Sequence, residues 1–390
     1  MPFAPLTKAE RAEWQELLAP TDNARLWSAA ILFILSSLAI PFSTNQTVAT
    51  VFLLYAAFFY YMLVRTMFPV LLCGLPVLLL YGVSAMFPAL PNPVMLPAIY
   101  AAALLGSVGG AFLAVQCRTP RRFFPLAAVP VGSYLIATIA SGDPYLSLLC
   151  LIPTAIALLM SYSLLCCRPL TPTVLSLAAL VGGIGLIFAL IWFATTGWPE
   201  EDLLTHAVTY VRTSVVTMFE EMSALYEAQG LSMGYELADV QNVAALLGNV
   251  LPGLLVALCV LFAYGTWRVF LRLLLTWQTL PRIPVRLGAV AVSGVCAAVF
   301  SFCYLVTLFA DAPTLFVTVC QNLSLVLQLP LVLVGISALL SKKEGRSCLS
   351  TLLLVGIIAL FVLNPASGLG LVAFVGAFHV LLARILSRKK

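Results

Sequence analysis

The chain has 390 residues, of which 62% are apolar and 9% charged, with a formal net charge of +5. A soluble protein carries roughly 25% charged residues, so this composition cannot surface the several domains that a soluble chain of this length would need. The positive balance does not point to nucleic acid, because the basic residues form short clusters between apolar runs, where they orient a membrane protein and attract anionic lipid heads.

Residues 1–25 read as a cytoplasmic N-terminal amphipathic segment. Thr7 and Glu10 make a T-x-x-E capping box, Trp14, Leu17 and Leu18 give one apolar side, and Pro20 closes the segment. The segment is expected on the cytoplasmic face, against the membrane or as a solvated cap. Glu10, Glu13, Glu16 and Asp22 interrupt the basic Lys8 and Arg11, and no small-residue cleavage site follows, so no cleavable signal peptide is expected.

Apolar stretches then recur at 26–42, 47–64, 68–86, 94–115, 123–141, 144–165, 172–193, 243–266, 288–310, 313–340, 347–363 and 367–384. Each suits a hydrocarbon core about 30 Å thick, and backbone groups in lipid must be satisfied within their own segment, which demands helices. The predicted fold is all-α, a polytopic transmembrane bundle of about twelve spans. Placed on that layout, nineteen of the twenty Lys and Arg residues fall on one side, and Arg212 is the exception. The positive-inside rule then puts both termini in the cytoplasm, with residues 26–193 as an N-terminal membrane domain and 243–390 as a C-terminal one with a basic tail. A multi-pass membrane location is implied.

Between those domains, residues 194–242 form an acidic extracytoplasmic helical loop. Pro199 followed by Glu200, Glu201 and Asp202 is a helix start. Val208, Val211, Val215, Met218 and Met222 then recur at alternating three- and four-residue spacing, a narrow apolar stripe on one side of a helix. Such a stripe rests on the membrane surface, on the protein's own outer face as a lid, or on a partner helix.

Chemistry is sparse. Gly230-Leu-Ser232-Met-Gly234 fits G-x-S-x-G, with His206 and Asp239 in the same loop, but that elbow needs a strand-to-helix turn and turn glycines explain it better. No catalytic constellation, no Walker lysine, no cofactor motif and no metal-ligand spacing is present, so an enzyme is not expected and any ATP coupling would come from a partner. The ten cysteines sit in apolar runs or at their basic ends and read as reduced thiols. Asp143 and Asp311 read as solvated loop acids, and His379, toward the cytoplasmic end of the last span, as a packed residue or a proton-relay group. In the tenth span Gln321, Asn322, Ser324 and Gln328 accompany Pro330. Amides in lipid are costly unless paired, so they either join helices by hydrogen bonds or line a solute pocket. Asn249 with Pro252 and Gly253 breaks the eighth span, and such breaks are tolerated where backbone lines a cavity. Asn249, Gln321, Asn322, Ser324 and Gln328 are therefore the candidate substrate-binding residues. Gly106-x-x-x-Gly110 with Gly109, and Gly182, Gly183 and Gly185, are expected at close helix contacts.

Leu251-Pro252, the basic exit from Trp267-Arg268 through Pro284, Gln321-Asn322-Leu323, Lys342-Lys343 and the closing Asn364-Pro365 hairpin together resemble the YybS-like membrane proteins of Gram-positive bacteria. Residues 144–193 look like the N-terminal part of that family, whereas an acidic residue of its last span is replaced around His379. The family's N-terminal region is similar to the substrate-binding subunits of energy-coupling-factor vitamin transporters. The resemblance implies a small-molecule solute bound within a helical bundle, and a membrane partner or coupling ATPase complex. The expectation is a transporter or membrane substrate-binding subunit. The alternative is a non-enzymatic scaffold for envelope or spore assembly.

Overall fold

The structure, a computed structural model, describes residues 7–18, 22–65, 77–79, 81–82, 95–116, 120–142, 147–197, 203–228, 237–310, 314–340 and 365–387. Among these residues the regular structure is helical throughout, with no strand. Seven segments are long and apolar enough to cross a membrane: Thr47–Val64, Pro97–Gln116, Leu148–Leu165, Leu170–Ile191, Leu237–Thr276, Leu315–Leu339 and Gly368–Leu386. Asn23–Ala39, Pro130–Ser141 and Gly294–Phe309 are apolar but shorter. The apolar stretch 347–363 and most of 68–86 lie outside the described residues.

The chain divides into two compact units, residues 1–189 with 262–289, and residues 190–261 with 290–390. The first begins with α1 (Lys8–Glu16), whose capping box forms as the sequence predicts. The Thr7 N–H and hydroxyl both bond the Glu10 carboxylate, which holds that carboxyl below its ordinary value of 4.5. Leu17 is exposed while Trp14 and Leu18 are buried. Trp14 Nε1 donates to the Leu164 carbonyl at 2.7 Å and Gln15 Nε2 to Leu165 at 3.3 Å. The segment thus adds side-chain donors to carbonyls at the end of a helix, and its indole is committed to the protein.

Four helices follow: α2 (Asn23–Ala39), α3 (Gln46–Val64), α4 (Met95–Gln116) and α5 (Pro120–Ser141), with a single 3₁₀ turn, Pro41–Thr44, between α2 and α3. A second 3₁₀ turn, Leu148–Leu151, leads into α6 (Ile152–Leu165), where Pro153 occupies the first turn that tolerates it. Helix α4 is apolar all round and buried on most sides, the mark of a central helix. Its glycines allow this. A Cβ at Gly109 would lie 2.8 Å from the Ala29 carbonyl oxygen, and one at Gly110 would meet Phe33 and Ala157 at 2.8 and 2.9 Å. One at Gly106 would meet Pro153 at 3.0 Å. The spacing in the sequence predicts this face correctly. On α7 (Leu170–Thr196), a Cβ added at Gly183 or Gly185 would meet nothing within 4 Å among the described residues, so the expected close contact is not made there.

The second unit contains α8 (Leu203–Ala228) and the first part of α9 (Leu237–Thr276), a helix of 40 residues that runs through Pro252, so the break expected at Asn249, Pro252 and Gly253 does not end the helix. The rest of α9 belongs to the first unit, where Trp267, Phe270, Leu271, Leu273, Leu274 and Trp277 are buried. Tyr60 Oη donates to Val269, and Trp267 Nε1 to Leu287, both at 3.1 Å. Arg25 caps the end of this helix through the Trp277 carbonyl at 2.5 Å. The basic exit after the eighth apolar run is therefore a packed helix, followed by the single turn α10 (Val285–Gly288).

In the second unit, α11 (Gly294–Phe309), α12 (Leu315–Leu340) and α13 (Pro365–Ser387) share a core of Ala297, Phe300, Leu331, Val332, Val372, Ala373 and Ala377. Side-chain carbons added at Gly335 and Gly376 would overlap the carbonyl oxygens of Val372 and Leu331 respectively. The two backbones touch directly.

Candidate functional site

Pro252 has no N–H, so α9 loses one rung of its ladder at the Gly248 carbonyl, and the ring crowds the preceding turn. A break of this kind inside an apolar helix leaves backbone groups that lipid cannot satisfy. Asn322, on α12, bonds the rung next to the missing one. Its Oδ1 accepts from the Gly253 N–H at 2.6 Å, and its Nδ2 donates to the Asn249 carbonyl at 2.9 Å. Gly253 follows Asn249 by four residues, so one amide spans the donor and acceptor of a helical rung just beyond the proline. The second Nδ2 hydrogen goes to the Thr318 carbonyl of its own helix at 2.9 Å. Both amide hydrogens of Asn322 are thereby used.

Gly253 permits this approach. A Cβ there would lie 2.7 Å from Asn322 Oδ1 and 2.9 Å from its Cα, so any larger residue would push α12 away. The structure brings Asn249 and Asn322 together. Gln321, Ser324 and Gln328 share the neighbouring face of α12 and are half-buried. Ser324 Oγ donates back to the Gln321 carbonyl at 2.9 Å, and among the described residues the Gln321 and Gln328 side chains engage no partner.

The amphipathic helix α8 meets the same region. Val208 and Arg212 lie against Gly248, where a Cβ would sit 2.8 Å from each. Arg212 Nη2 donates to Asn249 Oδ1 at 3.1 Å. Val208, Val215 and Met222 are half-buried, while the side chains of Val211 and Met218 lie outside the described residues. On the other face Tyr210 is 65% exposed. His206 is exposed and packs edge-on against Phe193 with ring centroids 5.6 Å apart.

The remaining sequence candidates do not join this site. Residues 230–234, Asp143 and Asp311 lie outside the described residues, while His379 and Asp239 are exposed. Arg212 and Gly253 belong to the site, although sequence reasoning gives them no binding role. Each nonetheless carries a signal: Arg212 breaks the charge rule, and a glycine after a proline in a span marks close backbone approach.

Helices of this length and composition, with basic residues gathered at their ends and amides paired inside, define an integral, multi-pass membrane protein in contact with the bilayer. More specifically, the chain belongs to the family described as predicted membrane protein (DUF2232), whose model matches residues 112–342, more than half of its length. No curated protein matches it, and no solved structure does.

Proposed function

We propose that the protein is a small-solute transporter or membrane substrate-binding subunit, built around Pro252 of helix α9 and the amide face of α12. The observation that carries this reading is the Asn322 amide spliced into α9 at Pro252. A proline inside a membrane helix weakens its backbone ladder, and such irregular backbone at membrane depth is a usual place for a solute site. Asn322 ties α12 to α9 beside Pro252, and the adjacent Gln321 and Gln328 amides offer donors and acceptors to a solute. Helix α8, resting on Gly248, serves as the lid. About twelve spans, both termini in the cytoplasm and a bacterial plasma membrane complete the proposal, supported by the one-sided distribution of basic residues. The resemblance to YybS-like proteins and to energy-coupling-factor binding subunits supports the same solute-binding reading, with a coupling ATPase as partner. A scaffold role is the second reading. It draws on the exposed face of α8, where Tyr210 and Tyr226 offer aromatic contacts.

The test is thermal unfolding of purified protein against a panel of water-soluble metabolites. Gln321→Leu with Gln328→Leu should abolish stabilisation by any metabolite that stabilises the wild type, with folded yield unchanged. Asn322→Leu should instead lower the folded yield. A double variant that responds like the wild type refutes the amide pocket.

A further inference from the structure

Arg212 is the one basic residue outside the clusters that orient the chain, and its guanidinium is exposed. One N–H bonds Asn249 Oδ1 at 3.1 Å. Among the described residues the only ion pair joins Arg25 and Asp22, so no carboxylate lies within 4 Å of Arg212. A guanidinium has five N–H groups and no acceptor, which leaves several donors uncommitted. Asn249 adds to them. Its Oδ1 is occupied by Arg212 and its carbonyl by Asn322, whereas its Nδ2 hydrogens have no partner among the described residues. Because Oδ1 faces the guanidinium, Nδ2 is fixed beside it on the same planar amide. The position is held from below as well, since Asn322 locks the backbone of Asn249 and α8 is seated on Gly248.

The arrangement is a planar cation and an amide NH₂, side by side, with donors to spare and, among the described residues, no acid paired with them. Guanidinium forks match carboxylate and phosphate oxygens in two-point hydrogen bonding. We propose that Arg212 and Asn249 form an oxyanion-binding site at the 237–250 end of α9, which takes the carboxylate or phosphate of a small solute, or the phosphate of a lipid headgroup. For a solute, this deepens the transport reading and rests on it. The site would then select anionic solutes and the Gln321 and Gln328 amides their neutral groups.

The test uses full-length protein in nonionic detergent and, separately, in phosphatidylcholine nanodiscs with or without phosphatidylglycerol. Thermal unfolding is followed with sodium phosphate and sodium succinate against sodium chloride at equal ionic strength. A soluble source predicts stabilisation by phosphate or succinate, with apparent affinity weakened about tenfold or more in Arg212→Gln. Arg212→Lys, which keeps the charge and loses the fork, should fall between. Asn249→Asp retains the pairing with Arg212 and puts a negative charge in the donor set, so it should abolish the response in a folded protein. A lipid source predicts stabilisation by phosphatidylglycerol alone, lost in the same variants. No oxyanion effect beyond chloride in either arm, or an effect that Arg212→Gln and Asn249→Asp both retain, overturns the site. Oxyanion binding by a protein that takes up no solute would sink only the transport reading. Uptake of a neutral solute, with no oxyanion response, would sink only this site.

Discussion

Gln278 holds a left-handed backbone, φ 55°, where α9 ends. The Thr279 N–H bonds the Leu274 carbonyl and the Gln278 N–H bonds Leu275, both at 3.0 Å, which is the paired closure that normally recruits glycine. Cys167 does the same after α6 at φ 44°, with Arg168 and Cys167 donating to Ser163 and Leu164. Cys167 is buried, and burial pushes its thiol pKa up against the opposing charge of Arg286. Gln278 is exposed and gives the clean test. Gln278→Gly should stabilise the protein by about 1 kcal/mol, since a side chain in this conformation costs roughly that much. The readout is the midpoint of thermal unfolding in detergent, and an unchanged or lowered midpoint would mean the Gln278 side chain contributes more than its backbone costs. Asn322 works in the opposite sense. Its side chain is costly in lipid, yet it is fully paired, with the Gly253 N–H and the Asn249 carbonyl of α9 and with Thr318 of its own helix.

Among the elements, the contact of α12 with α13 is the tightest, because Gly335 and Gly376 each face the other helix's carbonyl. Gly376→Ala should cost about 1–3 kcal/mol, as an added carbon there must move backbone rather than a side chain. Gly183→Ala on α7, with open space around it, should be neutral or slightly stabilising because alanine is the better helix former. Equal effects of the two, measured by thermal unfolding, would remove packing as the explanation. The pair also marks what the sequence can disclose. The Gly106-x-x-x-Gly110 face is visible because both residues lie on one helix at a helical period. Gly335 and Gly376 are single glycines on two helices, and only the crossing point gives them meaning. Asn249 and Asn322 stand out as amides in lipid, but their separation in sequence hides that one completes the backbone of the other's helix. Residues 267, 270, 274 and 277 carry a legible three- and four-residue period of large apolar groups. The arginines between them suggest a loop, whereas the period points to the buried helix end that forms.

At the scale of the whole molecule, α9 limits the possible topologies. Its 40 residues have a helical contour length of roughly 60 Å at about 1.5 Å per residue, twice the thickness of a hydrocarbon core of about 30 Å. Its apolar middle and its polar end at Asp239 fit a crossing in which the two ends emerge on opposite faces. The 237 end carries Asp239, and the other end carries Arg268 and Arg272. On the proposed orientation, which follows the positive-inside rule, the arginine end is cytoplasmic. Single cysteines placed at Asp239 and Gln278, both exposed, in a background without the native cysteines, test this directly. A membrane-impermeant maleimide should label Asp239→Cys on intact cells and leave Gln278→Cys unlabelled until the cells are opened. The inverse pattern would keep α9 as a crossing helix and reverse the orientation, moving Arg212 and the proposed oxyanion site to the cytoplasmic face. Labelling of both positions on intact cells would mean that α9 does not cross at all, and the alternation of basic loops would then lose its central span.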